Sequence, residues 1–173
     1  MDEQSLILEA QAGNNKALAE LVKRYEKTVY SFAFKVCRNP DKAENTMQET
    51  FMSMVKSLKQ FDGKSKLSTW LYRITVNHCL MEYRKNKRDY VSIDDDDALI
   101  SESSIADWDS IPSLTIENKE LKKVLDEAIQ KLSPEYRIVF LLRDVEGLST
   151  EETGKITEPV SYTHLTLPTI LRV

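Results

Sequence analysis

Glycine and proline are scarce in this chain, 4 and 5 among 173 residues, and hydrophobic residues make up 41%, so a folded and mainly helical protein is expected. No apolar run approaches the roughly 20 residues that a membrane span needs. The opening MDEQSLILEAQ is acidic where a secretory signal would be basic, which makes a cytoplasmic location the expectation. Only two cysteines are present, Cys37 and Cys79, with no partner at metal-ligand spacing and only His78 near either. Buried free thiols in a reducing compartment are expected, in preference to a metal or redox role. A Gly-rich phosphate loop is also missing, and His78 beside Cys79 lacks a third member for nucleophilic chemistry. No catalytic residue, metal or cofactor is therefore expected.

The net charge of −4 argues against indiscriminate coating of nucleic acid, but the charge is uneven. Residues 89–117 hold nine acidic residues and no basic one, directly after the cations Arg84, Lys85, Lys87 and Arg88.

Hydrophobic periodicity organises the rest. A short apolar stretch, residues 6–12, is interrupted by Gly13-Asn14-Asn15. Leu18, Leu21, Val22, Tyr25, Val29, Phe32, Ala33 and Val36 then hold a helical stripe. Asn39-Pro40-Asp41 stops one helix and starts the next, with Pro40 in the first turn and Glu44 three residues after Asp41 at capping-box spacing. The new helix sets Ala43, Met47, Phe51, Met54, Val55 and Leu58 on one face and Glu44, Asn45, Gln48 and Glu49 on the other. After a loop over residues 61–66, with Ser68 placed as a cap, the stretch LSTWLYRITVNHCLMEYRKNKR forms the central helix. Its stripe is Leu67, Trp70, Leu71, Ile74, Leu80 and Met81.

Arg73, Asn77 and the terminal cations lie along that helix's polar side. Two accounts of the cations stand together: a solvated end that suits the helix dipole, or a surface that neutralises phosphates while Trp70, Tyr72, Tyr83 and Asn77 meet bases. The acidic stretch that follows has no clear periodicity and reads as a flexible linker. Beyond it, Leu121, Val124, Leu125, Ala128, Ile129 and Leu132 form another stripe. Ser133-Pro134-Glu135 opens a helix that Gly147 ends, and Ser149 with Glu152 makes a capping box for a short one. Short helices joined in this way begin a helix-turn-helix.

Four of these segments carry a resemblance. Ala43-Glu44 with Gln48-Glu49-Thr50-Phe51, Ser68-Thr69-Trp70-Leu71 with Ile74 and Asn77, the cluster at residues 84–88, and LSPEYR at 132–137 running on to FLLRDVEGLS at 140–149 stand in the order found in bacterial RNA polymerase sigma factors of the extracytoplasmic-function group. The chain resembles that group from Leu6 to about Thr157. The resemblance implies an all-α fold of two small helical domains. Residues 1–90 would be sigma region 2, 91–115 the acidic linker, and 116–158 a truncated sigma region 4. It implies no enzyme activity and two main partners, core RNA polymerase (clamp and flap) and promoter DNA, with an anti-sigma factor as a third. Carried over by position, Asn45, Gln48 and Glu49 face the polymerase clamp. Lys64, Lys66, Arg73, Asn77, Arg84, Lys85, Lys87 and Arg88 hold the minus-ten element, including its single strand. The linker would thread toward the RNA channel, where Asp94-Asp95-Asp96-Asp97 mimic a phosphate chain. The sequence departs from the family pattern at Asn45 and Thr46, where a carboxylate and a leucine are usual, and at Met81, where an Asp is usual. The competing reading is a stand-alone helix-turn-helix regulator that binds duplex DNA without polymerase.

The stretch PVSYTHLTLPTILRV at 159–173 fits none of this, since it has a single Arg and no helical stripe where a basic recognition helix is due. Residues 160–169 resemble the translation of a transposon-type sequencing adapter. The expectation is that 159–173 is non-native, that the natural sequence stops near Glu158, and that Leu148 and Ile156 are left exposed without a partner helix.

Overall fold

The structure is a computed structural model that describes residues 2–89 and 119–157, with side chains described for 2–85 and 120–157. Every regular element among the described residues is helical: α1 Glu3–Gln11, α2 Asn15–Cys37, α3 Pro40–Ser57, a 3-10 turn Leu58–Gln60, α4 Leu67–Asp89, α5 Lys119–Gln130, α6 Pro134–Phe140, a π-helical turn Leu141–Val145, and α7 Thr150–Thr157. The stretch read as an acidic linker and the whole C-terminal stretch, 158–173, lie outside the described residues.

Local chemistry sets the helix ends. The Asn14 side chain caps α2 by accepting from the backbone N–H groups of Lys16 and Ala17. At the other end Arg38 takes a left-handed conformation, φ 55°, and its N–H returns to the Phe34 carbonyl at 2.8 Å. Asn39 caps α3 through Lys42 N–H at 3.0 Å with Pro40 at the first helical position. The capping-box reading of Asp41 is thereby corrected, because a proline at the first position makes the residue before it the cap. Ser68 likewise lies inside α4, and the carbonyl of Lys66 receives the first bond, from Trp70 N–H at 3.2 Å.

Two apolar clusters hold the helices. One is closed within the N-terminal half and joins Leu6, Ile7 and Ala10 of α1 to Leu21 and Val29, to Phe51 and Met54, and to Leu67 and Leu71. The other crosses the chain. Phe32 and Val36 of α2 and Tyr72, Val76, Cys79 and Leu80 of α4 pack with Ile129, Ile138, Leu141, Leu142 and Ile156. The helix α4 is therefore covered on two sides, by α2 and α3 and by the C-terminal helices. This explains why its sequence stripe is displaced: Met81 is 63% exposed, while Tyr72, Val76 and Cys79 are buried. Ile156, expected to be left bare, is 2% exposed, because α4 supplies the apolar surface that the short α7 lacks on its own. The stripe on α5 is only partly used. Leu125 and Ile129 pack inward, whereas Leu121 and Val124 are 53% and 60% exposed.

Candidate polymerase and nucleic-acid interface

On α3 the residues facing away from the core follow from spacing. Ala43, Thr46, Thr50 and Met54 are buried against α2 and α4, which leaves Asn45, Gln48 and Glu49 exposed as neighbours one helical turn apart. Glu44 adjoins them, and Gln48 Nε2 donates to Glu44 Oε1 at 3.5 Å. The face is acidic and amide-bearing, with acceptors available to a basic partner. Behind it, Ser53 Oγ and His78 Nε2 lie 2.9 Å apart and tie α3 to α4. Burial pushes the His78 imidazole below its usual pKa, while the Glu49 carboxylate opposes that shift.

The cations lie on a second surface. Lys64 and Lys66 are exposed in the loop ahead of α4, and the loop is set by Asp62, whose side chain accepts from Lys64 N–H at 3.1 Å and pairs with Lys64 Nζ at 2.8 Å. Arg73 is exposed, Asn77 is half-buried, and Arg84 and Lys85 are exposed. At 100° per residue Arg73, Asn77 and Arg84 fall within about 40° of one line, roughly 16 Å long. Lys87 and Arg88 belong to the same helix, and their side chains lie outside the described set. The exposed residues Asn45, Gln48 and Glu49 thus share one face of α3, and the cations with Asn77 share α4 and the loop before it.

The aromatics divide between packing and surface, and Trp70 packs as its place on the apolar stripe implies. Trp70 is half-buried with its ring 5.2 Å from Phe61, a packing role. Tyr72 is buried, tilted against Phe32 at 4.8 Å, and its hydroxyl donates to Glu146 Oε2 at 2.6 Å. Burial first, and the Glu146 charge next, push the phenol well above its usual range. Tyr83 is 41% exposed and stays on the outer surface.

Periodicity gave no sign of the contacts that join the two sets of helices. The guanidinium of Arg137 is buried, donating from Nη1 to the Val36 carbonyl at 2.6 Å, from Nε to Ile129 at 3.2 Å, and from Nη2 to Gln130 at 2.7 Å and Leu132 at 2.9 Å. Burial, and then the nearby Arg38 charge, lower its pKa. Arg38 pairs with Asp126 of α5 in a buried contact and lies over the Phe34 ring at 5.7 Å. At α7 the expected capping box is present: Ser149 N–H donates to Glu152 Oε2 at 2.9 Å and Glu152 N–H to Ser149 Oγ at 3.1 Å. The Ser149 backbone N–H first, and the Ser149 side chain next, hold the Glu152 carboxyl below its usual range, and the Lys66 charge adds a smaller pull across from the loop before α4.

The family model Sigma-70 region 2 matches residues 21–89, and Sigma-70, region 4 matches residues 122–158. The ECF RNA polymerase sigma factor SigW of Bacillus subtilis is 31% identical over 153 residues, spanning 87% of this chain and 82% of the relative. The ECF RNA polymerase sigma-E factor of Escherichia coli is 28% identical over 162 residues, spanning 91% and 84%. Among solved structures, CnrH in complex with the cytosolic domain of CnrY superposes with a TM-score of 0.59 at 19% identity over 90% of this chain and 82% of that one, a likeness of fold. The relatives are sigma factors, which bind polymerase and DNA to initiate transcription and are not enzymes. Matched by both region models and by a relative above 30% identity over most of its length, the chain belongs to the extracytoplasmic-function group of RNA polymerase sigma factors.

Proposed function

We propose that this protein directs core RNA polymerase to specific promoters, using the α3 face for the polymerase clamp and α4 with its preceding loop for the minus-ten element. The observation that supports this reading best is the division of labour within the first four helices. Asn45, Gln48 and Glu49 are exposed together on α3, while Lys64, Lys66, Arg73, Arg84 and Lys85 are exposed on and before α4. Clamp docking takes the acceptors; strand capture takes the cations, with Asn77 reading a base edge and Lys87 and Arg88 extending the phosphate track. The second set of helices would bind the polymerase flap, and the protein would work in the cytoplasm, where its promoters are. CnrH is held by the cytosolic domain of CnrY, and we assign this chain a regulatory protein partner of the same general kind, an anti-sigma factor.

The test is reconstitution with core polymerase. Promoter melting, read by reactivity of unpaired thymines, should require both proteins. Removing the four cations together, Arg84→Ala, Lys85→Ala, Lys87→Ala and Arg88→Ala, should flatten the salt dependence of promoter binding by about 3 units of log–log slope. An unchanged slope would move the phosphate contacts elsewhere. Specific duplex binding by the isolated chain would favour the stand-alone regulator instead.

The same reading bears on the minus-thirty-five element. The recognition helix due after α7 falls at 158–173, and that stretch has one Arg and no Lys. We infer that most of that helix is missing here and that minus-thirty-five reading is lost. Sequencing the source locus through the codon for Glu158 tests this. A frame that runs on into an Arg- and Lys-rich helix supports it, and a genomic PVSYTHLTLPTILRV overturns it.

A further inference from the structure

Cys37 and Cys79 stand 42 residues apart in sequence, yet their sulfurs lie 3.3 Å apart where the end of α2 meets α4. The chain has no other cysteine. Both line a cleft of about 640 Å³ whose other walls include Lys42, Lys131, Ser133 and Arg137, so the pair faces an opening between the two sets of helices. Cys79 is buried and Cys37 half-buried. We propose that Cys37 and Cys79 are an oxidisable dithiol, in which Cys37 is attacked first by a hydroperoxide and Cys79 resolves it to a disulfide.

The surroundings distinguish the two sulfurs. Cys37 is held below its usual pKa by its hydrogen bond with Cys79, with Thr46, 3.8 Å from the Cys37 sulfur, and the Lys42 and Arg137 charges adding to the effect. Its partner Cys79 is raised by that same bond, by burial and by the Cys37 charge. Cys37 is also the more accessible of the two sulfurs, with the Lys42 and Arg137 cations beside the same cleft, so Cys37 is the nucleophile. In the first step the Cys37 thiolate attacks one peroxide oxygen; the O–O bond breaks, a sulfenic acid forms, and hydroxide leaves to be protonated to water. In the second, the Cys79 sulfur attacks the sulfenic sulfur, the S–O bond breaks, and hydroxide leaves with the Cys79 proton as water. Two electrons pass from the two sulfurs to the peroxide, and each oxygen ends as water.

The bond has a mechanical consequence. A disulfide needs sulfurs at about 2.05 Å, so the two sulfurs, one at the end of α2 and one in the middle of α4, must close by about 1 Å and be locked there. Cys37 is the last residue of α2, between Val36, whose carbonyl holds Arg137, and Arg38, which holds Asp126. Oxidation therefore acts on the two contacts that seat the C-terminal helices.

The test uses the whole chain and hydrogen peroxide. After treatment, free thiols should fall from two to none, and a non-reducing peptide map should show one intrachain link between Cys37 and Cys79 with loss of two hydrogens, reversed by dithiothreitol. In Cys79→Ser the reaction should stop at a sulfenic acid on Cys37, trapped by dimedone, and Cys79 in Cys37→Ser should react at least about tenfold more slowly. Hydrogen exchange at α5 and α6 should rise in the oxidised form. Two surviving thiols in the wild type, an interchain link, or equal rates in the two variants would overturn the dithiol. Unchanged exchange in a fully oxidised sample would overturn its coupling to the C-terminal helices.

Discussion

The first four helices and the last three are built on different terms. The N-terminal set encloses a core of its own, from Leu6 and Ile7 through Leu21, Phe51 and Met54 to Leu67 and Leu71. In the C-terminal set Ile129, Ile138, Leu141, Leu142 and Ile156 reach burial within a cluster that includes Phe32, Val36, Tyr72 and Val76. One set has a core closed within itself; the other completes its core on a neighbour. The surface α4 uses for this is the side next to the Arg73–Asn77–Arg84 line, so the seat of α7 and this polar line share one helix.

The largest expected effect separates the two sets at their joint. Arg137 donates to four carbonyls, among them Val36 of α2. Arg137→Ala removes one charged donor from all four at once and leaves the Val36 carbonyl without it, and each hydrogen bond to a charged group contributes about 1.5–3 kcal/mol. The loss should fall on α5–α7: amide exchange there should become fast while α1–α4 keep their protection, as read by peptide-resolved exchange. A uniform loss through α1 would show that the two sets unfold as one.

A milder change sharpens the comparison. Tyr72→Phe removes a single hydroxyl that donates to Glu146 at 2.6 Å and keeps the ring against Phe32. A hydrogen bond to a charged group contributes about 1.5–3 kcal/mol, and the half-buried Glu146 recovers part of that from water. The expected result is a C-terminal set weakened by about 1–2 kcal/mol, with α1–α3 unchanged, measured by the same exchange experiment.

Much of the N-terminal half is legible in sequence for a physical reason. Where a helix has one buried side, the spacing of its apolar residues names both faces, and Asn45, Gln48 and Glu49 on α3 follow from it. Helix ends are legible too when a side chain supplies the missing acceptor, as at Ser149. The joint is not legible. A helix buried on two sides has no single stripe, so Tyr72 and Val76 fall outside the stripe read from the sequence although they pack inward. Arginine is seldom buried, and nothing in LSPEYR marks Arg137 as the donor to a carbonyl 101 residues away. The two cysteines read as unrelated thiols because proximity across 42 residues leaves no trace in spacing.

The smallest effect tests whether separate terms persist at the level of one hydrogen bond. Asn39 caps α3 through Lys42 N–H at 3.0 Å, and Ser149 caps α7 through Glu152 N–H at 3.1 Å. Either cap replaced by alanine costs about 1 kcal/mol. The cost should appear in different places. The 18-residue α3 is locked between α2 and α4, so Asn39→Ala lowers the midpoint of global unfolding and leaves local exchange in α3 unchanged. At 8 residues α7 is too short to be stable alone, and Ile156 is its deepest anchor. Ser149→Ala should therefore raise local opening of α7 about fivefold, the factor that 1 kcal/mol sets, and barely move the global midpoint. Equal shifts of the midpoint by both substitutions would mean that α7 is as firmly held as α3, and the division between a closed core and a borrowed one would fail at its C-terminal end.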